Sequence, residues 1–180
     1  MATPTTLRRS IASLAILAER DLAELWRRIT NAAQARQALE DVLPALIQTY
    51  GLAAAAVAAD WYDEARIRAE VAGSFRAFPI ELPPPNAYSL IAWAERQATS
   101  LDTMPGLIAG GVQRRVANAA RGTVMASSVA DPKAQGWKRV GSPRCSFCRM
   151  LIGRGAVYRE ATAHFDAHDN CNCAAAPAWH

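Results

Sequence analysis

Residues 145–173 read CSFCRMLIGRGAVYREATAHFDAHDNCNC and contain all four cysteines of the chain. The stretch opens with a Cys-x-x-Cys pair and closes with a His-x-x-Cys-x-Cys group. Thiolate and imidazole ligands at such spacings are typical of tetrahedral zinc sites. We therefore expect this stretch to form a small module around a metal ion, and the rest of the chain to support it.

Five side chains are candidate ligands for the four positions of such a site: Cys145, Cys148, His168, Cys171 and Cys173. The first cysteine pair fits one tight turn. His168 and Cys171 are three residues apart and fit one helical turn, whereas Cys171 and Cys173 project to the same side of an extended chain. Either Cys171 or Cys173 can therefore complete the site, and His164 is a further candidate of lower rank.

This surplus of ligands favours a structural zinc ion, because four protein ligands leave no open position for water. Zinc deaminases place a His-x-Glu before their Cys-x-x-Cys, but no histidine precedes Cys145 here. The chain also contains neither Gly-x-Ser-x-Gly nor His-Glu-x-x-His, two signatures of hydrolytic enzymes. We predict no catalytic residues, no organic cofactor and no small-molecule substrate, so the protein is not expected to be an enzyme.

Upstream of this stretch, two segments have the apolar periodicity of helices. Thr5–Ile29 and the segment ending at Trp61 share the spacing 4-3-4-4-3-4. Asn31-Ala-Ala-Gln34 resembles a capping box at the start of the second segment. Together they predict an antiparallel helical hairpin. The two stripes are Leu7, Ile11, Leu14, Ala18, Leu22, Leu25, Ile29 and Leu39, Leu43, Leu46, Tyr50, Ala54, Val57, Trp61.

Two more helices are predicted before the cysteine stretch. Asn86 is expected to cap a helix that ends near Thr99, and Thr103-Met104-Pro105 to begin another that reaches towards Val129. Arginines 114, 115 and 121 give the latter helix a basic face. We interpret this face as solvated, with contact to phosphate as the alternative.

Beyond residue 130 the composition changes and short strands are predicted. Trp137–Val140 alternates like a strand, and residues 156–159 are expected to return as its hairpin partner. Residues 161–168 are predicted to form a short helix that carries His168. The predicted fold class is mainly α: an N-terminal helical hairpin or bundle over residues 1–130, followed by a small α+β, zinc-knuckle-like module over residues 131–180.

Composition and charge narrow the environment of the protein. A hydrophobic content of 51% argues against global disorder. The apolar run after Arg9 ends at Glu19, so no export signal is expected, and the cysteines should be reduced thiols. The uncharged window Val42–Ala59 contains Pro44 and much alanine, which favours a buried helix over a membrane span. No membrane contact is predicted.

The run WKRVGSPRCSFCRMLIGRGAVY at residues 137–158, followed by FDAHDNCNC at residues 165–173, resembles the C-terminal part of Mu F-like minor head proteins of tailed bacteriophages, especially those of actinobacteriophages. That motif often ends His-Pro-x-Cys-Arg-Cys. Asp169 and Asn172 replace the proline and the arginine here, and every candidate ligand is kept. The resemblance is specific over Trp137–Cys173 and architectural over residues 1–130.

The resemblance implies a low-copy structural component of the virion head, made in the host cytoplasm. Such a protein would associate with portal or capsid proteins and act in head morphogenesis or in DNA packaging and delivery, with contact to packaged DNA as a further expectation. The alternative hypothesis is a zinc-dependent nucleic-acid-binding module or nuclease. It rests on seven basic against four acidic residues in 131–180, with residues 164, 166, 168 and 169 as ligands of a second metal in the nuclease version.

Overall fold

The computed structural model describes residues 2–142, 146–159 and 164–179, and the chain is mainly helical over them. This confirms the predicted fold class. The helices are α1 (Pro4–Trp26), α2 (Ala32–Arg68), α3 (Ala87–Gln97), α4 (Met104–Ala130) and α5 (Ser146–Gly153), with a 3₁₀ turn at Leu101–Thr103. The strands are β1 (Trp137–Val140) and β2 (Ala174–Pro177).

Helices α1 and α2 form the predicted antiparallel hairpin. Near the end of α2, the Trp61 indole N–H donates to the carbonyl of Thr3, the N-cap residue of α1, at 2.9 Å. Further along, the Tyr50 hydroxyl donates to Asp21 at 2.5 Å. Asn31 caps α2 as expected, because its side chain accepts the Gln34 N–H at 3.0 Å. The first helix ends at residue 26, three residues earlier than its stripe predicts.

Helix α2 runs unbroken for 37 residues although Pro44 lies inside it, and the proline removes one backbone hydrogen bond. Within the described ranges, α2 alone is long and apolar enough to cross a membrane, judged by length and composition only. Its most apolar window is 44% buried inside the protein. Helix α2 packs against α1, α3 and α4, and many of its apolar side chains are buried in these contacts.

Helix α4 is the central element of the core. The side chains of Ile108, Val112, Val116 and Val124 are completely buried, and α1, α2, α3 and both strands contact this helix. Gly111 lets α3 approach closely, because a Cβ atom there would overlap the Leu90 side chain. Other elements therefore pack on several sides of α4, and one of these sides contacts the cysteine stretch.

Strand β1 forms at the predicted residues, but its predicted partner is wrong. It pairs antiparallel with β2, from Trp137 opposite Pro177 to Val140 opposite Ala174. Contact with residues 156–159 is limited to one bridge between Trp137 and Tyr158. The predicted helix over residues 161–168 is also wrong where it can be seen: residues 164–168 are irregular, and residues 161–163 lie outside the described ranges.

A buried polar network at the end of α4 connects the C-terminal residues to the helical part. The Asp131 carboxylate accepts from Arg66 Nε at 3.0 Å, from the Tyr62 hydroxyl at 3.2 Å and from Trp179 Nε1 at 3.2 Å. The backbone N–H of Lys133 donates to the other carboxylate oxygen at 3.0 Å. The hydrophobic core is likewise continuous from α1 to β2. The domain division at residue 130 stays a prediction.

Candidate metal centre

Three predicted ligands lie together: Cys148, His168 and Cys171, with their donor atoms all within 4.8 Å of one another. Cys148 Sγ is 3.7 Å from His168 Nε2 and 3.9 Å from Cys171 Sγ. Ordinary Zn–S and Zn–N bonds at tetrahedral angles separate two sulfurs by about 3.8 Å and a sulfur from a nitrogen by about 3.6 Å. The cluster therefore has the dimensions of one face of a zinc tetrahedron.

The other predicted ligands occupy different positions. Cys173 lies beside the cluster, where its thiol hydrogen bonds with Cys171 and Cys148. Its sulfur also packs against Gly141, since a Cβ atom at that glycine would lie 3.1 Å away. Cys145 lies outside the described residues. His164 is exposed and lines a cleft beside α4, so the structure does not bring it into the cluster of three.

Secondary structure brings the two halves of the cluster together. Helix α5 holds Cys148 in its first turn. Strand β2 begins immediately after Cys173. Its first residue, Ala174, pairs with Val140 at the end of β1, eight residues before Cys148. Helix α4 packs against the residues that follow His168. Gly110 of α4 leaves room for Asp169, because a Cβ atom at Gly110 would lie 3.3 Å from the Asp169 Cβ.

His168 has the orientation expected of a metal ligand. Its Nδ1 lies 2.7 Å from the carbonyl oxygen of Asp169, and Nε2 faces Cys148. An imidazole whose Nδ1–H donates to a carbonyl presents the Nε2 lone pair, which is the common arrangement at metal centres. The Nδ1 contact assigns this tautomer, because a carbonyl oxygen can only accept.

Two buried arginines surround the cluster. Arg121 of α4 donates from Nε to the Cys173 carbonyl at 2.9 Å and from Nη2 to the Cys171 carbonyl at 2.7 Å. Arg139 of β1 donates to Cys148 Sγ at 3.7 Å and to the Asp166 carbonyl at 3.0 Å. Both guanidinium groups also lie over the Phe165 ring, at 4.7 and 3.9 Å from its centre. They place positive charge beside the thiols.

The interpretation of Arg121 as part of a solvated face is therefore wrong, because the residue is 2% exposed. Arg121 lies seven residues after Arg114, on the same side of α4. That side is covered by residues 164–173, the ligand segment, which includes His168, Cys171 and Cys173. Helical periodicity identifies a face but does not say what will cover it. Arg139 and Phe165 are also parts of the site that the cysteine and histidine spacing does not reveal.

The electrostatics favour a thiolate in the cluster. A hydrogen bond from Cys173 is the largest influence on Cys171; with the positive charge of Arg121 it outweighs burial and lowers the pKa of Cys171 to about 4. The same hydrogen bond and burial raise the pKa of Cys173. Burial lowers the pKa of Arg121 to about 10, so it remains protonated at neutral pH. A thiolate at Cys171 is the form that binds metals.

The donor set suits a soft or borderline divalent metal. Thiolate and imidazole ligands bind zinc well, whereas magnesium and calcium prefer oxygen. If the fourth ligand is also a cysteine, Arg121 and Arg139 would offset the single negative charge that three thiolates leave on a divalent ion. The described residues can thus hold a metal ion through Cys148, His168 and Cys171, with a fourth ligand still to be assigned.

Fold and site together define a mainly helical protein with a small Cys/His segment, able to hold a metal ion, packed on its central helix. The chain matches the VG15 protein family model over residues 2–180. It therefore belongs to the VG15 protein family, a family of phage gene products. This confirms the phage class implied by the resemblance. No curated protein and no solved structure matches the chain.

Proposed function

We propose that this protein is a minor head protein of a tailed phage, of the Mu F-like type, located at the portal or the capsid interior. Its role is head morphogenesis or DNA packaging and delivery, and its partners are portal and capsid proteins. Membership of a phage protein family supports the phage part of this proposal. The resemblance over Trp137–Cys173 supports the head part.

The role we propose is structural rather than enzymatic, and the observation that carries it is the position of the cluster. Cys148 and Cys171 are buried, and Arg121 holds the carbonyls of both later cysteines against α4. A metal ion there would link α5, β2 and α4. Such a link stabilises a surface against which a partner can assemble, and it needs no open coordination position.

We propose zinc as the metal and Cys145, Cys148, His168 and Cys171 as its ligands. Cys145 follows the Cys-x-x-Cys spacing, while Cys173 lies beside the cluster as a hydrogen-bonding neighbour of Cys171. Elemental analysis of the purified chain should give one zinc per molecule, and a strong chelator should remove it. A chain that is fully folded without any bound metal would contradict this part of the proposal.

The head location is tested with phage particles that encode either the wild-type protein or Cys148→Ser. Immunoblots of purified, DNA-filled heads should detect the wild-type protein at a few copies per particle. The variant should be present in the infected cell but reduced in heads, because its assembly surface is no longer held together. Absence of the wild-type protein from both mature heads and head precursors would overturn the assignment.

A further inference from the structure

A cleft of about 540 Å³ lies between α4 and residues 164–167, outside the metal cluster. Arg114, Arg115 and Asn118 line one wall, with Arg121 deeper inside. The other wall includes His164 and Asp166, which are both exposed. The cleft is therefore lined by three guanidinium groups and one carboxylate.

One of the three arginines in this cleft, Arg115, has no direct carboxylate partner among the described residues. Arg114 forms an ion pair with Asp169 at 3.1 Å. Arg115, by contrast, directs its guanidinium at uncharged oxygens: the Gly111 carbonyl at 3.1 Å and the Asn86 carbonyl at 3.3 Å. Over the described part of the chain, none of the ion pairs includes Arg115.

The buried Arg66 shows what a compensated arginine looks like in the same protein. It pairs with Asp131 at 3.0 Å and donates to three backbone carbonyls of residues 71–73. Arg115 is instead held beside a second guanidinium: burial, followed by repulsion from Arg114, lowers the pKa of Arg115, and attraction from Asp169 offsets only part of this. An anion in the cleft would favour the charged form of Arg115 and offset its repulsion from Arg114.

We propose that this cleft is a phosphate-binding site. Arginine presents a planar fork of N–H donors that matches phosphate oxygens. The guanidinium groups of Arg114 and Arg115 and the side-chain amide of Asn118 therefore form a suitable set of donors. The volume accommodates a phosphate group together with part of what carries it. The ligand is a phosphate oxyanion, either a phosphodiester of a nucleic-acid backbone or free phosphate. The proposal does not depend on the protein's presence in a phage head.

The test compares four single variants of the whole 180-residue chain as purified. Arg114→Gln and Arg115→Gln each remove one charge from the cleft. Arg9→Gln removes one from the exposed side of α1, and Arg154→Gln removes one from the exposed turn immediately after α5. Binding of a mixed-sequence DNA duplex is measured over a range of salt concentrations, and binding of inorganic phosphate by calorimetry. Circular dichroism and zinc content are checked for every variant.

If the cleft binds phosphate, each cleft variant weakens binding roughly tenfold or more and lowers the salt slope by about one where DNA is the ligand. The two control variants change binding less than about twofold. If inorganic phosphate binds and the DNA duplex does not, the ligand of the cleft is the free ion. If the duplex binds, the ligand is a nucleic-acid backbone.

Three results would overturn the proposal: binding of neither probe, equal losses in cleft and control variants, or a loss confined to Arg154→Gln. The last would place any contact with DNA at the turn after α5, outside the cleft. If Arg115→Gln does not fold, because it loses its contacts with α3, Arg114→Gln carries the test alone. Arg114 makes one partly exposed ion pair, so its replacement leaves the core intact.

Discussion

Cys171 and Cys173 are only two residues apart, but they have different surroundings. Cys171 is within 4.8 Å of both Cys148 and His168, whereas Cys173 packs on Gly141 and hydrogen bonds to its neighbours. We expect Cys171→Ser to abolish tight zinc binding. Cys173→Ser should keep one zinc with an affinity reduced roughly 10–100-fold, as for an outer-shell partner. Competition with a chromophoric chelator measures both, and the opposite ranking would make Cys173 the ligand.

Arg121 is expected to position the ligand segment. Its two hydrogen bonds to the Cys171 and Cys173 carbonyls connect that segment to α4 at 2.7 and 2.9 Å. Arg121→Gln should lower zinc affinity roughly 10–100-fold while one zinc per chain still binds at saturation. Arg121→Lys should not restore the affinity, because an ammonium group cannot span both carbonyls as a guanidinium does.

The matched control for Arg121→Gln is Arg9→Gln, the same change at an exposed position of α1. It should leave zinc affinity within about twofold of wild type. A role for Arg121 limited to packing predicts a different pattern, in which thermal stability falls but the zinc affinity of the folded variant is unchanged. That pattern would contradict its role as a positioning residue.

At the scale of the elements, the end of α4 depends on one carboxylate. The Arg66–Asp131 pair is almost inaccessible to water, with side-chain exposures of 7% and 0%. Removing one partner of a buried pair typically costs about 3–5 kcal/mol, because the other charge stays buried. Asp131→Asn should therefore lower the free energy of unfolding by about 3 kcal/mol, measured by urea denaturation. Asp63→Asn, beside the exposed Arg76, should cost less than about 1 kcal/mol.

The same carboxylate gives a pH dependence of defined sign. Burial raises the pKa of Asp131, but hydrogen bonds from Lys133, Arg66 and Trp179 outweigh it, and the net pKa is lowered. The unfolded state then binds the proton more tightly, so the stabilisation is present above the unfolded pKa of about 3.9 and is lost as pH falls through the folded value. The stability gap between wild type and Asp131→Asn should be full at pH 7 and shrink below about pH 4. A gap that is constant with pH would exclude this linkage.

The sequence predicts the four long helices well because their apolar spacing and caps are local signals. The predictions that Asn31 caps α2 and that α4 begins at Met104 are both confirmed. The sheet is predicted less well because strand pairing depends on long-range contacts. Ala174–Pro177 has low strand propensity and pairs with β1 because the surrounding core buries all four residues. The same limit applies to Arg121, whose burial depends on a segment fifty residues away.

At the scale of the whole molecule, residues 131–180, which carry the candidate metal ligands, share a buried core with the helices of residues 1–130. Trp137 is buried between Tyr158 and Phe165, with ring centres at 4.3 and 5.9 Å. Residues of β2 and Cys173 belong to the same core as α4. Loss of the metal should therefore loosen the C-terminal end and also weaken the face of α4 that it covers. The α1–α2 hairpin is held by separate contacts, including Trp61 with Thr3.

This arrangement predicts a graded response to Cys148→Ser or to chelation. Hydrogen exchange measured by mass spectrometry should show lost protection in peptides spanning residues 137–142 and 171–177. Protection should be reduced near Arg121 and retained in α1 and α2, where far-UV circular dichroism should also be kept. The wild-type protein reloaded with zinc should recover its protection, and Cys148→Ser should not. Simultaneous loss of protection throughout the chain would instead mean that residues 1–130 and 131–180 fold as one cooperative unit, because the core they share could not then persist without the metal.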